Sequence, residues 1–312
     1  MNPNQNRIKV AAAQATPVFL NRKQTVEKAC DLMAQAGRAG AKLLVFPEVF
    51  IAGYPDWVWV VPNSNKAILD ELYYEILENA VNIPDETTKK LCKAAKDAKI
   101  HVVIGMHERN SEASNASLFN TMLCIDSEGN ILGKHRKLIP TGGERLVWAQ
   151  GDGSTLSAFD TSIGKIGGLI CWENFMPLAR NAMYAWGTQI YVAPTWDSSE
   201  GWLLSLRHIA KEGGMFVIGC CMAIHMENIP ESYEFKKFYP EGKEWINPGN
   251  SCILGPNGQI IAGPVKMKEE LLYAEIDFKQ IISSKRMFDV AGHYARPDVF
   301  KFSVNQESNA LI

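Results

Sequence analysis

Short apolar runs alternate along this chain with stretches whose apolar residues recur every three or four positions, the pattern of an α/β protein. Residues 7–14 (RIKVAAAQ) and 42–46 (KLLVF) predict buried strands; 22–38 predicts a helix with Val26, Ala29, Met33 and Ala36 on one face. Helices are expected at 66–82 and 86–98, then strands at 101–106, 118–125 and 131–136, the last two joined by a turn over 126–130. A comparable order follows. A strand at 163–170, a helix at 175–186, a strand at 189–194, a helix at 202–213 and a strand at 215–221 lead to a hairpin at 251–262. A strand at 271–276 and a helix near 278–288 complete it, and the last twenty or so residues form a tail. Residues 225–247 are polar, aromatic and irregular, and predict a long surface loop. No Pro- or Ser-rich linker separates the two α/β halves, so one domain of mixed sheets covered by helices is expected.

Composition narrows the class. With 312 residues and 46% hydrophobic side chains the chain can build a large core. Its 32 basic and 34 acidic residues leave a net charge of −2, which gives no handle for nucleic acid or an anionic membrane. No window approaches the ~18 apolar residues of a membrane span. The opening MNPNQNRIKV lacks the apolar core of a secretory signal. Seven cysteines at 30, 92, 124, 171, 220, 221 and 252 suggest neither a disulfide framework nor metal-ligand knuckles. A cytoplasmic protein with reduced thiols, no metal and no cofactor is expected.

Three residues stand at strand ends with chemistry to offer. Cys171 follows Gly167-Gly168-Leu169-Ile170 and opens a helical run, where backbone N–H dipoles favour a thiolate and an anion formed by its attack. An arbitrary cysteine is more often a small buried hydrophobe, so position alone decides little. A thiol needs a base. Six histidines leave a Cys/His pair open, but a carboxylate in a dry pocket would serve equally. Glu48, after Leu43-Leu44-Val45-Phe46-Pro47, fits that description, because an apolar strand seldom ends in a carboxylate without a partner or a use. Lys137, before Leu138-Ile139-Pro140, puts an ammonium in apolar company, although a snorkelling surface lysine is the ordinary alternative. Glu144 follows Gly142-Gly143, whose flexibility would let it fold back on the site.

Phe46-Pro47-Glu48, His135-Arg136-Lys137-Leu138-Ile139-Pro140 and Ile170-Cys171-Trp172-Glu173-Asn174 together resemble the nitrilase, or carbon–nitrogen hydrolase, superfamily. The resemblance runs from about residue 7 to 300 and closes on His293-Tyr294-Ala295-Arg296-Pro297-Asp298. It implies a Glu48–Lys137–Cys171 triad, with Glu144 as a second glutamate orienting Lys137 and substrate. Cys-Trp-Glu, the Thr141–Gly153 loop and Met176-Pro177-Leu178 look like the nitrilase branch, so hydrolysis of a small organic nitrile is expected. An amidase of the same superfamily and a cyanide-hydrolysing enzyme are the alternatives. The resemblance also implies an αββα sandwich of two mixed sheets, four-layered (αββααββα) on dimerisation. Residues 7–278 would form the catalytic domain and 279–312 a C-terminal helix and tail in oligomer contacts. The tail after Asp298 is shorter than in many spiral-forming members, which favours a dimer over a long filament. Tyr54, Trp172 and Trp196 are expected to line the pocket, and Trp57, Trp59, Trp186 and Trp202 to pack in the core. Such a pocket would suit an aliphatic nitrile or an arylacetonitrile.

Overall fold

Strands covered on both faces need apolar side chains on both, and the first strand shows the consequence. In β1 (Arg7–Gln14), Val10 and Ala12 face one core while Ala11 and Ala13 face another, all fully buried. The computed structural model describes residues 6–309, so the first five and last three residues, with those parts of the opening segment and the tail read above, lie outside the described residues. After β1 come α1 (Arg22–Arg38), β2 (Ala41–Val45), α2 (Lys66–Glu78), α3 (Glu86–Ala98), β3 (His101–Arg109), β4 (Leu118–Ile125) and β5 (Ile131–Arg136). The second half holds β6 (Ala158–Thr161), β7 (Gly164–Gly168), α4 (Pro177–Ala185), β8 (Ile190–Thr195), α5 (Glu200–Gly213) and β9 (Phe216–Cys221). It ends with β10 (Ala223–His225), β11 (Trp245–Pro248), β12 (Ser251–Leu254), β13 (Ile260–Val265), β14 (Glu270–Asp277) and α6 (Lys279–Met287).

Two six-stranded mixed sheets result, in the orders β14-β1-β2-β3-β4-β5 and β13-β12-β9-β8-β7-β6. Val10, Leu43 and Val103 of the first meet Ile166, Val192 and Ile218 of the second in the central core. On the outer face of the first sheet, Leu44 and Ile104 pack on Val26, Met33 and Leu91 of α1 and α3. On the outer face of the second, Tyr191 and Val217 pack on Met183, Leu206 and Ile209 of α4 and α5. This is the αββα sandwich. Because β2 and β3 run parallel while β4 and β5 each reverse direction, β2 and β5 exit at the same end. Ligand sites of open α/β sheets lie outside such carboxyl ends.

Some boundaries differ from the periodicity. Residues read as one strand at 163–170 are the return arm of a β6–β7 hairpin. The edge strand β6 was not foreseen, because its residues are half-exposed and show no alternation. The segment read as an irregular loop is anchored at both ends by the antiparallel pair β10–β11. Helix α2 stops at Glu78, and Val81 then bonds to His107 O on β3.

Candidate functional site

The loop after β2 is pressed flat on β3. A Cβ on Gly105 would stand 2.3 Å from Val49 N and 2.5 Å from Pro47 O, so only glycine admits the loop. Val49 and Ala52 adopt positive φ (41° and 74°), and Ile51 N bonds to Gly105 O. The turn buries Glu48 almost completely. Its Oε1 accepts from Lys137 Nζ and from Asn120 Nδ2, both at 2.7 Å, while its buried Oε2 has no partner among the described residues. Burial is the largest influence on this carboxyl and, with Lys137 only partly opposing it and Glu144 adding to it, holds it above the ordinary glutamate range.

Lys137 leaves β5 on a hydrogen bond from its N–H to Asn120 O, so Asn120 holds both the lysine backbone and the glutamate side chain. The fully buried ammonium bridges Glu48 and Glu144 Oε2, the latter at 2.8 Å. Burial works against its charge, but Glu48, Cys171 and Glu144 outweigh it and raise the lysine well above its usual range. Two carboxylates around one ammonium help to offset the cost of taking its charge out of water. Glu144 sits in a 3₁₀ turn (Gly142–Leu146), where Thr141 N donates to its Oε2 and Tyr54 OH to its Oε1, each at 2.7 Å.

Cys171 begins a second 3₁₀ turn (Cys171–Phe175) with φ 51°, an unusual conformation for a residue with a Cβ. Glu173 holds the bend. Its carboxylate accepts from Ile170 N at 2.7 Å and from Leu138 N at 2.6 Å, and lies 3.0 Å from His135 Nε2. It thereby ties the cysteine turn to the strand end that bears Lys137. Burial opposes ionisation of Glu173, yet His135 and the two backbone N–H groups hold its carboxyl below the usual range. Burial and the charge of Glu48 push the Cys171 thiol up to about 12, against the pull of Lys137. The thiolate favoured by strand-end dipoles is therefore not the resting form, because loss of water outweighs them. The resting cysteine is a thiol that needs a base.

A pocket of about 470 Å³ opens over Cys171 and Glu144, with Tyr54, Trp172 and Trp196 in its walls. The Tyr54 and Trp196 rings stack at 4.3 Å with 4° between their planes. Glu48 and Lys137 are not among its lining residues and lie deeper. Trp57 and Trp202 are core residues as read, and Trp186 is partly buried against the α4–α5 cluster. Trp59 is not: it is 47% exposed, lines the pocket and donates to Tyr54 OH at 3.2 Å. Gly142 (φ 48°) leaves room for its ring, since a Cβ there would stand 3.0 Å from it. Asn120 went unnoticed in the sequence, although one amide amid the apolar residues of β4 is the signal that could have found it. Elsewhere in the basic run, Lys134 and Arg136 pair with buried Glu108.

Residues 9–286 match the family model described as carbon–nitrogen hydrolase. The bifunctional nitrilase/nitrile hydratase NIT4B of Nicotiana tabacum is 39% identical over 98% of this chain and 88% of its own. The aliphatic nitrilase of Sinorhizobium fredii (strain HH103) is 38% identical over 98% of both chains. Among solved structures, Nit3 of Saccharomyces cerevisiae, a member of branch 10 of the nitrilase superfamily, superposes with a TM-score of 0.74 at 22% identity, covering 93% of this chain and 97% of that one.

Proposed function

Because the chain belongs to the carbon–nitrogen hydrolases, in their nitrilase branch, we propose that it hydrolyses a small organic nitrile to the carboxylic acid and ammonia, with Cys171 as nucleophile, Glu48 as base and Lys137 as the stabilising cation. One observation carries this reading: a buried thiol that lines the pocket feels the charge of a buried ammonium held between two carboxylates, one of which keeps an oxygen unpartnered among the described residues. Glu48 takes the thiol proton, and the Sγ thiolate then bonds to the nitrile carbon. The displaced π pair goes to nitrogen, where Lys137 and a backbone N–H after Cys171 stabilise it; a well-placed donor of this kind is worth about 3–4 kcal/mol. Nitrogen takes the thiol proton from Glu48, giving a thioimidate and restoring the carboxylate. Water, deprotonated by Glu48, adds to its carbon. Glu48 returns that proton to nitrogen and relays the hydroxyl proton to it as the C–N bond breaks, which releases ammonia and leaves a thioester. A second water, deprotonated by Glu48, adds and breaks the C–S bond, and sulfur takes the proton back from Glu48 to give acid and free thiol. Glu144, braced by Tyr54, holds Lys137 in place.

Breaking the C–S bond one stage earlier would release the amide instead, and relatives named as bifunctional nitrilase/nitrile hydratases support an amide share. The test is a panel of aliphatic and arylaceto-nitriles, with cyanide and the matching amides, in which acid, amide and ammonia are quantified together for wild type and Cys171→Ala. Acid and ammonia from a nitrile, abolished in the variant, are expected. Turnover of amides alone would make the protein an amidase, and formamide or ammonia from cyanide alone a cyanide hydrolase. The same reading includes a homodimer, through the outer helix layer and the 279–312 segment. It also includes residence in a reducing compartment such as the cytoplasm, which suits seven free cysteines. No helix among the described residues is long and apolar enough to cross a membrane.

A further inference from the structure

Thr195 closes β8 at the floor of the sandwich end, fully buried beside Cys221 of the parallel neighbour β9. A strand end this deep would ordinarily carry valine, because a buried hydroxyl costs free energy unless it is partnered. Its hydroxyl is 3.3 Å from Cys171 Sγ and donates to no other group among the described residues. Asp197 N donates to Thr195 Oγ1 at 2.9 Å. A hydroxyl has one hydrogen to give, and with a lone pair taken by that N–H the hydrogen is directed to sulfur. The donor is itself fixed. Trp172 Nε1 and Ser199 N each donate to the Asp197 carboxylate at 2.8 Å, which ties the loop after β8 to the cysteine turn.

We infer that Thr195 is a further catalytic residue: its hydroxyl, aimed by the Asp197 backbone, stabilises sulfur whenever Cys171 carries negative charge. The inference rests on the reading of Cys171 as nucleophile. Charge sits on sulfur twice in that reaction. It appears when Glu48 removes the thiol proton before the C–S bond forms, and again when that bond breaks and its electron pair returns to sulfur. The ionisable groups facing the thiol are Glu48, Glu144, Tyr54, Cys221 and Lys137, of which only the last favours the thiolate. A neutral donor that favours the anion, without adding a charge that would disturb Lys137, complements that single cation.

The test is the pH dependence of Cys171 alkylation by iodoacetamide, located by mass spectrometry, in wild type, Thr195→Val and Thr195→Ser, with kcat and KM on the best nitrile of the panel. A hydrogen bond to a charged group sets the scale: Thr195→Val should slow alkylation at neutral pH about 10- to 100-fold and move the profile to higher pH. Its kcat should fall while KM stays near wild type, and Thr195→Ser should restore most of both. A wild-type profile in Thr195→Val overturns the inference, as does a serine variant no better than valine, which would make the residue a packing element. Should valine not fold, Thr195→Ala is judged by the same profile. If the label lies on another cysteine, or Cys171→Ala still turns over nitrile, the nucleophile assignment fails and this inference with it. Label on Cys171 with an unmoved profile overturns this inference alone.

Discussion

At Glu48 the two carboxylate oxygens meet different surroundings. Oε1 is occupied by Lys137 and Asn120, whereas Oε2 is buried with no partner among the described residues, so in the proposed reaction Oε2 is the oxygen that would take the proton from sulfur. A base works when ionised, so activity is present above its pKa and lost as pH falls through it. Burial, the dominant influence, raises that pKa above 4.5, and the acid limb of kcat/KM is expected at a higher pH than an ordinary glutamate would give. Glu48→Gln should lower kcat by about 10²- to 10⁴-fold with the fold retained by circular dichroism. An acid limb at 4.5 or below, or near-normal turnover in the glutamine variant, removes Glu48 from the role. The strand-end positions of Glu48 and Cys171 were legible because each follows an apolar run, and that of Lys137 because it precedes one, a local signal in each case. Thr195 was not, since neither its burial nor its contact with the sulfur of a distant turn shows in the local sequence. Trp59 was misplaced for a related reason: whether an indole is covered depends on Gly142, brought to it only by the fold.

The elements position these side chains through backbone contacts more than through side-chain packing. Gly105 of β3 is the clearest case, because the atoms that an added Cβ would meet, Val49 N and Pro47 O, are both backbone and cannot rotate away. Gly105→Ala should therefore lift the Glu48 loop off the strand. A displacement of about 1 Å at a reacting group costs on the order of 10²-fold in rate, and overpacking typically costs about 1–3 kcal/mol of stability. Gly201→Ala in α5 is the control, for its Cβ would meet only Ser199 Oγ at 3.7 Å. Steady-state rates and thermal melts of the two variants check this, and equal behaviour of both would refute it. At this scale the sequence was most readable where an element is amphipathic or buried on both faces. It was least readable at β6, β10 and β11, which are short: the half-exposed residues of β6 carry no period, and the pairing partners of β10 lie a full loop away.

In the whole molecule the two outer helix layers differ. The layer of α1 and α3 carries its own exposed ion pairs, Lys90–Glu27 between the helices and Lys93–Asp97 within one, and is suited to water. The layer over the second sheet also has an ion pair, Arg180–Glu212, but leaves Leu178 of α4 and Leu204 of α5 exposed, at 70% and 55%, with Phe175 nearby at 43%. The C-terminal segment continues this face, since Val290 and Val304 pack on the α4–α5 cluster while Tyr294, Val299 and Phe300 remain exposed. Contiguous apolar surface of this kind marks association, and a self-complementary patch closes as a two-fold dimer. Joining two copies through α4 and α5 would stack the layers as αββααββα, with the turn that bears Cys171 close behind the interface, because Phe175 ends that turn. Sedimentation of the full chain is thus expected to give twice the chain mass. Leu178→Asp combined with Leu204→Asp should shift it to one chain mass, since each carboxylate would lose water against an apolar partner. Activity should fall in parallel as the support behind the cysteine turn is lost. A wild type that sediments as one chain would dismiss the dimer, and a double variant that keeps twice the chain mass would move the interface to the opposite layer or to the tail alone.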